Sequence, residues 1–178
     1  MMTFVRRLWR DRSAIAASEF ALILPVLLAL LFAVIESGQL MLLDRKVTAA
    51  VQTAADIVAQ DNDFTDSEVT DLWRGLDNIL LPYISADARY RLSSVALDGG
   101  GNAIVRWSVG RGLGAHANGT VYPLPAGLLA LGGSVIVADV QYTYRPLFVG
   151  EIFTGPLEVS DRAYLKPRTT SQVLRNGS

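Results

Sequence analysis

Hydrophobic residues are concentrated at one end of this chain. From Phe20 to Ile35 no residue is charged, and after Glu36 the apolar run resumes at Leu40-Met41-Leu42-Leu43 before Asp44-Arg45-Lys46. Phe20 to Leu43 is 24 residues, and about 20 apolar residues at 1.5 Å each cross the hydrocarbon core of a bilayer. The pattern predicts a transmembrane helix with a polar notch near one end. Pro25 lies inside it, where its ring removes one helical hydrogen bond and favours a kink. Beyond Asp44, apolar positions recur at helical spacing: Val47, Val51, Ala54, Ile57 and Val58. No glycine or proline interrupts Gln39 to Gln60, so the helix is expected to run unbroken from Ile15 to Gln60, about 46 residues and close to 70 Å.

The remaining pattern is that of a folded head. Thr65 is placed to cap a short helix, with Asp66 and Glu68 in its first turn and Val69, Leu72, Trp73, Leu76, Ile79 and Leu80 on its buried face. Pro82 ends it. Tyr90, Leu92, Val95 and Leu97, then Asp98-Gly99-Gly100-Gly101-Asn102, then Ile104, Val105, Trp107 and Val109 read as a hairpin around a glycine-rich turn. Residues 110–125 carry loop composition. Ser134 to Tyr144 and Leu157 to Lys166 read as two further strands, closed by Pro146 and Pro167. The expected fold class is α+β: a long N-terminal transmembrane helix continuing into a head with a short helix and an antiparallel sheet of about four strands. The expected segments are 1–14 as a basic leader, 15–43 in the membrane, 44–60 as the helix's aqueous extension, 61–167 as the head, and 168–178 as a polar tail expected to fray.

Composition narrows the chemistry. The chain holds 16 basic and 17 acidic residues among 178, a balance unlike that of a dedicated nucleic-acid binder. With no cysteine, a disulfide framework, a zinc-thiolate site and a cysteine nucleophile are all excluded. The mean hydropathy of +0.31 reflects the N-terminal segment. Arg6, Arg7, Arg10 and Arg12 precede that segment against one acid, Asp11, which places the N-terminus in the cytoplasm and the head across the membrane. A cleaved secretory signal has a shorter apolar region and a small-residue cleavage site behind it; here the run is longer and passes straight into a helical pattern.

Residues 56–87 hold eight acids (Asp56, Asp61, Asp63, Asp66, Glu68, Asp71, Asp77 and Asp87) against one base, Arg74. The run D-N-D-F-T-D-S-E departs from a calcium loop, because Asp66 stands where that loop needs glycine and Leu72 where it needs its last glutamate. It reads better as a helix start. G-R-G-L-G, residues 110–114, lacks the lysine and following helix of a phosphate loop, and the single histidine, His116, has no sequence partner for a triad or a metal. Asn118-Gly119-Thr120 fits the glycosylation sequon. No metal, cofactor, small-molecule substrate or nucleic acid is implied, and no constellation supports catalysis.

The stretch R-D-R-S-A-I-A-A-S-E-F-A-L-I-L-P-V-L-L, Arg10 to Leu28, resembles the start of TadE-like proteins, minor pseudopilins of the tight-adherence (Tad) pilus and relatives of type IV pilins. I-E-S-G-Q-L (Ile35 to Leu40) and R-K-V-T-A-A-V-Q-T-A-A-D-I-V-A-Q (Arg45 to Gln60) continue the resemblance, with softer similarity at Gln141 to Phe148 and Ala163 to Thr169. In that family a basic leader ends in glycine, prepilin peptidase cuts after it, and a glutamate is fifth in the mature chain, followed by an aromatic. Here Glu19 matches the glutamate and Phe20 the aromatic, so the resemblance implies a cut between Ala14 and Ile15. Alanine stands where the family has glycine.

A cut would create a cationic amine on Ile15, and an unpaired charge in a packed helical bundle is costly. Glu19, one turn along, is then the implied partner of a neighbouring subunit's amine. Glu36, about 25 Å further along, is expected to sit hydrated near the other interface, with a polar helix–helix contact as the lesser alternative. The resemblance implies a pseudopilin of the inner membrane that works with other pseudopilins, pilus assembly proteins and prepilin peptidase in adhesion or secretion, and that is not an enzyme. The alternative is an uncleaved, signal-anchored sensor or ligand-binding domain, with Glu19 an incidental acid at the interface.

Overall fold

A computed structural model describes residues 12–125, 127–129, 133–146 and 155–176, with the side chains of residues 12–14 left out. Along the chain come α1 (Arg12–Gln60), α2 (Asp66–Leu80), a 3-10 turn (Ser85–Asp87), β1 (Ala88–Leu97), β2 (Ala103–Arg111), β3 (Ser134–Tyr144) and β4 (Leu157–Leu165). This is the expected α+β class, and α1 runs 49 residues with Pro25 inside it. The chain forms two compact units, one of Met1–Gln39 with Arg145–Gly155 and one of Leu40–Tyr144 with Pro156–Ser178.

In the second unit, one stripe of α1 is apolar at helical spacing and fully covered: Leu43, Val47, Ala50, Ala54 and Val58 are at most 1% exposed. Against it packs α2, whose capping box is complete. Thr65 accepts from the Glu68 N–H, and the Glu68 carboxylate accepts from the Thr65 N–H at 2.7 Å. That pair satisfies two donors the helix start would otherwise leave open. Val69, Leu72, Trp73, Leu76 and Leu80 are its buried face; Ile79 is half-buried beside them. At the far end of α2, the Lys46 ammonium of α1 donates to the Ile79 carbonyl at 3.0 Å, a cation at the negative end of the helix dipole.

The sheet is antiparallel throughout, in the order β2-β1-β3-β4. Even-numbered residues of β1 and β3 (Tyr90, Leu92, Ile136, Ala138, Val140) join the helices in one core, while Val95, Val135 and Val137 form a second core on the opposite face under Tyr122 and Leu124. An irregularity in the β1–β2 register divides one strand between the two. Ser94 pairs with Trp107 but Val95 pairs with Val105, so Arg106 is the extra residue of a bulge. Trp107 consequently enters the helix-side core and Val105 the opposite one.

The C-terminal segment is not frayed. The Phe64 N–H donates to the Leu174 carbonyl at 2.9 Å, the Leu174 N–H to the Asn62 carbonyl at 3.1 Å, and the Arg168 N–H to the Ala59 carbonyl at 2.8 Å. The Trp107 indole donates to the Val173 carbonyl at 2.9 Å, and Val173 is 2% exposed. Arg168 pairs with Asp56, and Arg175 with Asp66. A polar tail stays down here because the turn after α1 offers it backbone partners, while Phe64 and Trp107 give Val173 somewhere to pack.

Candidate functional site

The candidate site is the first part of α1. Leu22, Val26, Leu30 and Val34 are between 58% and 78% exposed, and Phe20, Ile23, Leu27 and Leu31 about half exposed. Every residue from Phe20 to Leu31 is apolar and exposed, so the apolar surface runs around the whole circumference of the helix, unlike an amphipathic helix, which leaves one stripe polar. Over its most apolar 18 residues the mean hydropathy is 2.5 and none of the window is buried. Among the described residues this is the one helix long and apolar enough to cross a membrane. Water cannot solvate such a surface without a large cost, whereas lipid or other apolar helices can.

At the start of that surface, Ile15 is 55% and Phe20 58% exposed, and Glu19 is exposed with no hydrogen bond or ion pair among the described residues. Glu19 lies one turn beyond Ile15, so the two side chains share a face. The Ser18 hydroxyl donates to the Ile15 carbonyl at 2.8 Å, closing the first turn locally. Ala14 lies in α1. Arg6, Arg7 and Arg10 lie outside the described residues; Arg12 begins the helix. Pro25 supplies no N–H, so the Ala21 carbonyl lacks its usual helical donor.

Glu36 differs from expectation. It is 8% exposed and engaged in an interaction, where a hydrated interfacial carboxylate was expected. Burying a carboxylate without a partner is prohibitive, and Glu36 has one.

Two polar clusters escaped the sequence reading, because each is assembled from separate strands. The Asp77 carboxylate of α2 accepts from the Tyr90 hydroxyl at 2.9 Å and from both terminal nitrogens of Arg111, one of them at 2.9 Å. The Arg111 guanidinium lies 4.6 Å from the Tyr90 ring centre, and Trp73 stacks on that ring at 5.5 Å. Burial, then Asp77, holds the Tyr90 hydroxyl well above its ordinary pKa of 10.0. On the other face of the sheet, Asp139 is 5% exposed and receives Arg91 at 2.9 Å and Arg162. Beside it His116 meets Tyr122 edge-on, with ring centres 5.3 Å apart. The His116 Nε2 and the Tyr122 hydroxyl are buried without a hydrogen-bond partner among the described residues. Burial, then Arg91, lowers the His116 pKa from 6.5.

Neither cluster contains a nucleophile held by a base. Among the described residues no group of three or more His, Cys, Asp or Glu side chains could hold a metal ion. The glycines of residues 110–114 serve the turn after β2: a side chain at Gly110 would meet the Leu113 carbonyl oxygen at 2.1 Å, and Gly112 has φ +77°. What the described residues present most plainly is the exposed apolar surface of α1.

These features define a class: an α+β head carried on one long helix whose N-terminal part suits a single-pass membrane protein. Within that class, the family model described as TadE-like protein matches residues 14–56, which is the apolar helix and most of its extension. The resemblance read from the residues around Glu19 is thereby shown over this stretch, and it suggests a protein associated with the Tad pilus. No curated protein and no solved structure matches the chain.

Proposed function

We propose that this chain is a minor pseudopilin of a Tad-type pilus, structural in role, anchored in the inner membrane with its N-terminus in the cytoplasm and its head on the far side. The observation that carries the reading is Glu19, exposed and without a partner among the described residues, at the start of a helix apolar on every side, inside the stretch that matches the TadE-like model. Prepilin peptidase would cut between Ala14 and Ile15, leaving the amine of Ile15 one turn from Glu19. In a bundle of such helices, the Glu19 carboxylate meets the amine of a neighbouring subunit, Phe20 packs beside it, and the apolar surface is covered by other helices. Register then follows from electrostatics, since a helix shifted along the bundle leaves both charges unpaired in an apolar medium.

The test is the intact mass and N-terminal sequence of the protein taken from membranes with active or inactivated prepilin peptidase. An N-terminus at Ile15 that depends on the peptidase is expected. A chain that keeps residues 1–14 in both would refute the processing step. Ala14 in the place of the family's glycine would then make this a permanent signal anchor, and the sensor or ligand-binding reading would take over.

A further inference from the structure

The two edges of the sheet are treated differently by the chain. At β2, the Val105 N–H donates to the Thr120 carbonyl at 2.9 Å, the Gly119 N–H to the Val105 carbonyl at 2.8 Å, and the Tyr122 N–H to the Ala103 carbonyl at 2.8 Å. The segment 119–122 thus closes the first part of that edge. At β4 nothing comparable occurs. Among the described residues, no backbone group outside the sheet bonds to any of its nine residues. The Arg162 N–H turns instead to the neighbouring Asp161 carboxylate at 2.7 Å, which marks the open side of the strand. Alternation puts the N–H of Ser160 on that same side.

The bare edge also borders open ground on α1. One groove runs between residues 40–45 of α1 and 157–160 of β4, and a second between residues 51–56 of α1 and 161–165 of β4. End to end they follow the whole strand. Met41, 64% exposed, lies in the first, where the walls are mainly apolar; Asp56, Asp161 and Arg168 make the second polar. An exposed strand edge offers a row of unpaired donors and acceptors at fixed spacing, and the group that satisfies such a row is another extended backbone.

We infer that β4 is a docking edge for an extended segment of a different protein subunit, which adds to the sheet as a fifth strand above the open face of α1. The segment should carry apolar side chains towards Leu40 and Met41 and polar ones towards Asp56 and Arg168. A different subunit is favoured over a second copy by the topology. Strands alternate in direction across the order β2-β1-β3-β4, so a copy standing alongside with α1 pointing the same way continues the alternation only by presenting β2. The first part of that edge is already taken by segment 119–122, which bars pairing along its full length. The inference concerns the head and is independent of leader processing.

The experiment places a photoreactive benzoylphenylalanine at Met41, in the groove beside β4, of the full-length chain in its host membranes, and measures backbone amide exchange across β4 in the isolated protein and in the recovered assembly. Cross-links are expected on one segment of one other protein, with exchange along β4 slowed at least about tenfold in the assembly. Ser160→Pro, which removes an N–H outside the β3–β4 ladder, should abolish both effects, and Ser160→Ala should preserve them. Cross-links to a second copy of the chain, cross-links scattered over unrelated proteins, or unchanged exchange at β4 would each overturn the inference. The exchange and wild-type cross-linking results stand even if the proline variant does not fold.

Discussion

Replacing Trp107 by phenylalanine tests whether the C-terminal segment is a working part of the core. The indole is 5% exposed, donates to the Val173 carbonyl at 2.9 Å, and stacks on Phe64 at 6.1 Å. Phenylalanine keeps the aromatic contact but removes the donor, leaving a buried carbonyl unpaired at about 1–2 kcal/mol. The smaller ring also leaves roughly 40 Å³ unfilled, which adds about 1 kcal/mol. Together the change should cost about 2–3 kcal/mol, or about 5–10 °C in Tm for a chain of this length. The assay is urea unfolding of the full-length protein in detergent, followed by far-ultraviolet circular dichroism, with amide exchange read at Phe64 and Leu174. Both amides should exchange faster in the variant, since their bonds, to the Leu174 and Asn62 carbonyls, depend on the segment that Trp107 holds. A loss below about 0.5 kcal/mol with unchanged exchange would refute the docked tail as a source of stability.

Three further outcomes are expected. Thr65→Ala should remove the capping box of α2 at a cost of about 1 kcal/mol, measured by the same unfolding. Because Thr65 holds the Glu68 carboxyl below its ordinary pKa of 4.5, the Glu68 contribution is full above that value and fades as the pH falls through the depressed one; the difference between wild type and Thr65→Ala should therefore narrow in acid, leaving the part due to the Thr65 hydroxyl. His116 has a lowered pKa, so the folded state binds its proton less readily than the unfolded state and stability should fall as the pH drops below 6.5. His116→Gln should flatten that part of the stability profile, and an unchanged profile would assign it to another group. Glu19→Ala should leave membrane insertion intact, read by fractionation, yet abolish pili seen by electron microscopy; normal piliation would sink the assembly role.

How much was legible in advance varied from element to element for physical reasons. α1 was readable because an apolar run of that length admits few alternatives in a bilayer and because nothing interrupts Gln39 to Gln60. α2 was readable from its local signals: Thr65 and Glu68 stand three apart, and Pro82 follows closely. β3 and β4 announced themselves through apolar and alternating residues bounded by prolines. Around Glu19 the residues themselves pointed to the TadE-like match. The polar clusters were out of reach, since Asp139, Arg91 and Arg162 meet only through strand register, and Asp77, Tyr90 and Arg111 come from three elements.

Sequence alone therefore determined what depends on neighbours within a few positions: the long apolar helix, the cap of α2, the turn at residues 98–102, the strands and the α+β class. The tertiary structure decided the rest. It set the order β2-β1-β3-β4, divided Val105 from Trp107 by a bulge at Arg106, buried Glu36, and fastened a polar tail to Asn62, Phe64 and Trp107. It also closed the first part of the β2 edge while leaving β4, among the described residues, without a backbone partner outside the sheet. Each of these turns on contacts between residues far apart in the chain, whose free energy is realised only once the intervening segments have folded into place.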